Sequence, residues 1–449
     1  MSRNRWVLVG ILAVATALRF GWGVATLDEV PETWIEGGDQ YSYWYYGNEI
    51  ADGNGYISYT NGEATSYYPI GFPATLAALF WLQEHTPLPD HQPTAVAVFN
   101  ALLSTASVFF VFLIARAAHG VRAGLVAAAL TALTTNLVLY VASYALETSF
   151  VFWSTAALAV LVTHDWANGP PSWRRVLGFG AVLAVSGMVR PFSLPFLLAL
   201  VVGVLVARGG WRRALASAGL AIVPALALVI PWTIRNLDAM DAFVPISTNL
   251  GDTACLDRSL ESDGGFAWAA HDGCADPTLP EAERSRENIG KAIDFVVTHP
   301  MAELELMGKR LWRMLEHDHS GLEETEGIHG RFLTDGWRRA ITGVSDATFW
   351  VLFGAGVLGL WALFRRGDPA TRVQRLAVGI AFLVLLALPI GLWGNPRFHV
   401  PLLPLLAVSA ASLSVPRRGV AAEPAGNNSP AWKEPSISHQ TSSSPVGTG

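Results

Sequence analysis

Apolar residues in this chain come in long runs, not in helical stripes or strand alternation. Runs long enough to cross a bilayer occupy residues 6–27, 93–115, 122–143, 146–163, 175–189, 192–207, 214–233, 344–364, 374–393 and 398–415. The pattern predicts an all-α polytopic membrane protein with about ten transmembrane helices, in a range of roughly nine to twelve. The runs at 175–189 and 192–207 are short and share the interruption Arg190-Pro191, which reads as a helical hairpin turning just inside the membrane. The first run follows MSRNR as a signal peptide would, but no small-residue cleavage site comes after it, so it reads as a retained span.

Two large polar segments, 28–92 and 234–343, lie between the runs. In the first, Tyr41, Trp44 and Tyr45 fall at i, i+3 and i+4, which predicts a short interfacial helix with Asp39 at its N-terminal cap. A second interfacial helix is predicted within SYYPIGFPATLAALFWL, residues 66–82, too short and proline-rich for a clean span. The later segment is mainly helical, with two amphipathic helices broken at His299-Pro300. The chain divides accordingly into an N-terminal transmembrane catalytic module (1–233, including loop 28–92), a loop region (234–343), C-terminal helices (344–415) and a Pro- and Ser-rich tail (416–449) read as disordered.

Composition agrees with the pattern: 51% of residues are hydrophobic and 15% charged, and mean hydropathy is +0.35. The net charge of −6 matters less than where each sign falls. With the N-terminus inside, the short inside segments carry Arg3 and Arg5, Arg116 and Arg122, Arg174 and Arg175, Arg208, Arg212 and Arg213, Arg365, Arg366, Arg372 and Arg375, and Arg417 and Arg418. Nearly all Asp and Glu fall on the other side. That asymmetry predicts a plasma-membrane protein with both termini cytoplasmic and the two large segments outside. Cys255 and Cys274 share one external segment and read as a disulfide, worth about 3 kcal/mol in the chain-entropy model.

Polar groups gather at the outer face. Asp39 opens the first interfacial helix, and Glu147 opens the fourth run, where a carboxylate is costly unless paired, hydrated or bound to a cation. Each also has a bland reading, as a residue favoured by the helix dipole. Arg190, Arg235 and Arg397 lie on the acidic side against the charge rule. Pairing to Glu147 would account for Arg190, and snorkelling behind Trp232 for Arg235. Together the arginines match phosphate oxygens, and at that depth a phosphate belongs to a lipid. His317, Asp318 and His319 have metal-binding capacity, although crowding of polar residues in a solvated loop explains them as well. No nucleotide loop and no HExxH is present, and nothing points to nucleic acid.

GGDQYSYW, SYYPIGFP, ALETSF, MVRP, IPWTIRN…PISTN and NPRFHVPLLP, in that order over residues 1–415, resemble the GT-C class of integral membrane glycosyltransferases, which includes protein mannosyltransferases and aminoarabinose transferases. The resemblance implies an inverting transfer of a sugar from a polyprenyl-phosphate donor to a lipid, glycan or protein hydroxyl at an extracytoplasmic site. It makes Asp39 the catalytic base or an acceptor-orienting carboxylate, and Glu147 the second acid. In some relatives that second acid helps hold a divalent metal, so Glu147 is a candidate ligand. Arg397, Arg235 and Arg190 become candidates for the donor phosphate. Tyr41, Tyr67, Tyr68, Asn236, Asn249 and His399, which lie within these motifs, become candidates for substrate contacts. The chain departs from many relatives in having Gln40, not a second acid, after Asp39, and Tyr67 and Tyr68 where lipid A relatives carry a lysine. A lipid or lipid-linked glycan transporter, or a glycan polymerase or ligase, is the alternative.

Overall fold

The computed structural model describes residues 3–26, 38–86, 91–265, 274, 278–366 and 369–415. The predicted end of the first span at Leu27, the segment 28–37 and the tail 416–449 lie outside the described residues. All described elements belong to one unit, Met1–Val415. Among the described residues the regular structure is helical, with one isolated antiparallel bridge between Ile57 and Ala64.

The helices in chain order are α1 (Arg3–Ala25), α2 (Asp39–Ala51), α3 (Gly71–Glu84), α4 (Gln92–His119), α5 (Val121–Leu133), α6 (Thr135–Leu139), α7 (Glu147–Val162), α8 (Trp173–Val189), α9 (Leu197–Val206), α10 (Gly210–Met240), α11 (Asn249–Cys255), α12 (Glu281–Thr298), α13 (Pro300–Leu315), α14 (Ser320–His329), α15 (Asp335–Arg366), α16 (Arg372–Ile390) and α17 (Leu403–Ala411). Each predicted apolar run coincides with a helical element. Among the described residues six helices are long and apolar enough to cross a membrane, or seven if a pair bent by 61° counts as one. The expected count of about ten also includes shorter apolar helices such as α7.

The bend lies where one continuous span was expected, at 122–143. Helix α5 stops at Leu133, and Thr134 takes an extended conformation before α6. A break inside an apolar environment strands carbonyl groups, which must find donors. Arg19 of α1, fully buried, supplies them: Nη1 donates to Ala132 O at 3.2 Å, Nη2 to Thr131 O at 3.4 Å, and Nε to Ser104 Oγ at 2.7 Å. Small residues let α4 and α5 approach closely. A Cβ on Gly124 would sit 2.9 Å from Phe112 O.

Helices α2 and α3 stand where two interfacial helices were expected, and His299 separates α12 from α13. Asp39 differs from expectation in detail. Gly38 is the N-cap residue and Asp39 is the first helical residue, so its carboxylate does not close the cap and faces other partners. Cys255 and Cys274 are bonded.

Candidate active site

Three Xaa-Pro steps build the site. A residue before proline is pushed out of the helical region, and here each step ends or starts a helix at the same end of the bundle. Arg190 ends α8 in an extended conformation (φ −152°, ψ 119°) and Pro191 begins the 3₁₀ turn Pro191–Phe196. Asn395 is extended (φ −150°, ψ 138°), its side chain accepts from Arg397 N at 2.8 Å, and Pro396 begins the turn Pro396–Leu402. Tyr68-Pro69 leads into α3, whose Gly71 lies so close to α8 that a Cβ there would stand 2.5 Å from Met188 C and O. The polar side chains Tyr68, Arg190 and Arg397 are thereby aimed into one space.

Arg397 is the hub. Its Nη1 lies 3.0 Å from Asp39 Oδ2 and 3.1 Å from Glu324 Oε1. Its Nε and Nη2 reach Glu147 Oε1 and Oε2 at 3.1 and 3.3 Å. Arg190 Nη2 adds a second contact to Glu147 Oε1 at 3.0 Å. Glu147 itself is fully buried. The Arg190 guanidinium packs over the rings of Phe150, Phe192 and Phe398 at 5.7, 5.7 and 5.3 Å. Its Nη1 is shielded from solvent and has no hydrogen-bond partner among the described residues. Tyr68 donates to Asp39 Oδ1 at 2.6 Å. Burial, with Asp39 beside it, pushes the Tyr68 phenol well up, so it remains a donor at neutral pH.

Glu324 was not anticipated. It belongs to EHDHSGLEETEGIH, which reads as a solvated loop, yet α14 packs against α6 and the turn Tyr140–Ala142 and carries Glu324 inward. Gln40 fixes it from the other side: its Nε2 donates to Glu324 O at 2.9 Å while its Oε1 accepts from Tyr144 N at 2.8 Å. The residue that departs from the relatives' acidic pair thus positions a different acid. Burial pushes the Glu324 carboxyl up to about 7; Arg397 opposes that rise, and Glu147 and Asp39 add to it.

Asp39, Tyr68, Arg190, Glu324 and Arg397 border a cavity of about 920 Å³, walled by Phe192, Leu250, Trp393 and Phe398, whereas the predicted site residue Glu147 is buried outside its lining. Tyr41, Tyr67, Tyr68, Asn249, Asp39, Arg190, Glu324 and Arg397 line it. A second cavity of about 1280 Å³ has a more polar lining than the first, with Glu63, Asp252 and Glu281, and shares Tyr67, Tyr68 and Leu256 with it.

Three predicted site residues lie elsewhere. Arg235 donates to Thr65 O at 2.7 Å and Tyr56 O at 2.6 Å, stacked on Tyr56 and Trp232, and so ties α10 to the segment between α2 and α3. Asn236 is buried beside it and donates to Val244 O at 2.8 Å. His399 is buried between Met314 O, at 2.5 Å from Nδ1, and Asp318 Oδ1, at 2.7 Å from Nε2. None of the three lines the apolar cavity. As a metal ligand Glu147 fits poorly, because both its oxygens face guanidinium groups and the neighbouring acids Asp39 and Glu324 share Arg397.

The family model for dolichyl-phosphate-mannose-protein mannosyltransferase matches residues 75–234, from α3 to α10. Over 92% of the chain the fold matches that of the oligosaccharyltransferase of Archaeoglobus fulgidus tethered to an acceptor peptide, at 16% identity and a TM-score of 0.52. The fold is that of the GT-C glycosyltransferases. A structure of the same archaeal enzyme, AglB, with an inhibitory peptide and dolichol phosphate gives a TM-score of 0.54 at 16% identity over 92% of this chain and 50% of that one. The chain therefore spans about half the length of the archaeal GT-C structures that it matches. ArnT of Cupriavidus metallidurans bound to undecaprenyl phosphate, another GT-C enzyme, is 15% identical with a TM-score of 0.42, covering 91% of this chain and 78% of that one. No curated protein sequence matches significantly.

Proposed function

We propose that this protein moves a sugar, hexosyl or pentosyl, from a polyprenyl-phosphate donor to an acceptor hydroxyl on the extracytoplasmic face, with inversion. The observation that carries the reading is that Arg397, at the wall of an apolar cavity within a GT-C fold, gathers Asp39, Glu324 and the buried Glu147. The dolichol phosphate held by AglB and the mannosyltransferase match over residues 75–234 support a lipid-phosphate donor here.

The polyprenyl chain lies along Phe192, Leu250, Trp393 and Phe398, and the phosphate meets the unpartnered Nη1 of Arg190. Two guanidiniums face three carboxylates, so a proton on Glu324 brings the cluster to formal neutrality and lets an anion enter. The acceptor oxygen attacks the anomeric carbon from the face opposite the phosphate. The carbon–oxygen bond to phosphate breaks, its electron pair leaves with polyprenyl phosphate, and the acceptor proton passes to Asp39. Arg190 and Arg397 answer the charge growing on the leaving group. Tyr68 on one Asp39 oxygen and Arg397 on the other keep the base aimed. The polar second cavity, across Tyr67 and Tyr68, supports an acceptor arriving from that side; lipid, glycan and protein hydroxyls all fit this chemistry.

About ten spans, both termini in the cytoplasm and a plasma-membrane location complete the proposal, supported by the distribution of arginine. The test is incubation of the purified protein with a panel of polyprenyl-phosphate sugars, following release of polyprenyl phosphate. Release with at least one donor is expected; binding and turnover with none would contradict the assignment.

A further inference from the structure

The turn between α13 and α14 carries a cluster that the transfer reaction does not use. We infer that His317, His319 and Glu323 form a binding site for a divalent transition metal, zinc by its donor set, which pins this turn. One donor atom from each residue lies within 4.8 Å of the others. His319 Nε2 and Glu323 Oε1 stand 3.6 Å apart. Two donors at zinc-ligand distances on a tetrahedral ion stand about 3.4 Å apart. The His319–Glu323 pair is already near that spacing, and the His317 donor, within 4.8 Å, has to close in to complete the set.

Local structure sets the three side chains on one side. His319 is the N-cap residue of α14 and Glu323 lies in its first turn, four residues on, so both occupy one face. Asp318, between the two histidines, points inward to His399 and Asn136. The His317 and His319 rings stack face to face with centroids 4.1 Å apart.

Two further observations point to a ligand. His319 Nδ1 lies 3.0 and 3.1 Å from the Asp346 oxygens, which accept from it, and Asp346 Oδ1 also accepts from Asp318 N at 2.7 Å. A carboxylate on one ring nitrogen fixes the proton there and turns the lone pair of the other outward, the arrangement that orients metal-bound histidines. That lone pair faces a second carboxylate, Glu323, and opposing lone pairs call for a cation between them. Independently, His317 Nδ1 is shielded from solvent and has no hydrogen-bond partner among the described residues. With a side-chain exposure of 49%, Glu323 leaves the site open to solvent for entry of the ion. Two imidazoles and a carboxylate select zinc or a neighbouring transition metal over magnesium or calcium. An imidazolium at His319, paired to Asp346 and Glu323, is the competing account.

The experiment uses the full-length protein in detergent, stripped with chelator and titrated with zinc chloride by calorimetry. Metal content and X-ray absorption are measured on the same sample. One zinc per chain with imidazole ligation is expected. His317→Gln with His319→Gln should weaken binding at least about 100-fold, and Asp346→Asn about 10- to 100-fold. If the double variant does not fold, Glu323→Gln and the absorption spectrum of the unaltered protein carry the test. Failure of the unaltered protein to take up zinc, undiminished uptake by the histidine variant, or a spectrum without imidazole would each overturn the site. None of the three ligands lines the apolar cavity, so that failure would leave the transferase reading standing.

Discussion

Arg397 grips Glu147 with two parallel contacts, Nε to Oε1 at 3.1 Å and Nη2 to Oε2 at 3.3 Å, across 250 residues of chain. This fork requires a planar guanidinium. Arg397→Lys is therefore expected to abolish most activity, and Arg397→Ala to cost about 3–5 kcal/mol of stability by leaving buried carboxylates uncompensated. Thermal unfolding of Arg397→Ala, Glu147→Gln and the double variant checks this. The double variant should be more stable than the sum of the single losses implies.

Glu324 introduces a pH dependence near neutrality. Its carboxyl rises from 4.5 to about 7 in the folded chain, chiefly by burial. Between those values the folded protein holds a proton that the unfolded chain releases, so stability contributed by this group falls as pH rises through the window. Glu324→Gln should flatten that slope and remove the inflection near pH 7 from the rate profile. A profile unchanged by the substitution would remove Glu324 from the account.

Arg190 and Arg235 are both candidates for the donor phosphate by sequence, and their surroundings separate them. Arg190 lines the cavity and its Nη1 has no hydrogen-bond partner among the described residues, whereas Arg235 donates to Thr65 O and Tyr56 O. Losing one charge-assisted hydrogen bond costs about 1.5–3 kcal/mol, so Arg190→Gln should weaken polyprenyl phosphate binding roughly 10- to 100-fold. Arg235→Gln should lower the melting temperature and leave that affinity within about threefold. Equilibrium binding with labelled polyprenyl phosphate measures both.

Arg19 stabilises the break between α5 and α6 by donating to Thr131 O and Ala132 O. Arg19→Met removes these donors from a buried position and should cost about 2–4 kcal/mol. Unfolding in detergent, read by near-ultraviolet circular dichroism, is the check.

Much of the fold was legible because a bilayer leaves few options: long apolar runs become helices, and prolines such as Pro191, Pro300 and Pro396 mark where they start. The meeting of Asp39, Glu147, Arg190 and Arg397 was also legible, since all four fall at the same face and the two arginines stand there against the charge rule. Glu324 was hidden because its segment is mostly polar and only the packing of α14 buries it. Arg19 escaped notice within an apolar run, where its partners are backbone carbonyls that leave no signature in sequence. His399 and Asp318 pair in the interior, an arrangement that neighbouring residues do not announce. The metal-capable histidines were visible, but the Asp346 that orients one of them lies 27 residues away.

The central claim is that Asp39 removes the acceptor proton while Arg190 and Arg397 serve the donor. Single-turnover transfer by Asp39→Asn, measured beside its affinity for polyprenyl phosphate, tests it most directly. Transfer should fall by roughly 100- to 10,000-fold with affinity within about threefold of the unaltered protein. Transfer at the original rate by a folded Asp39→Asn protein would contradict the account.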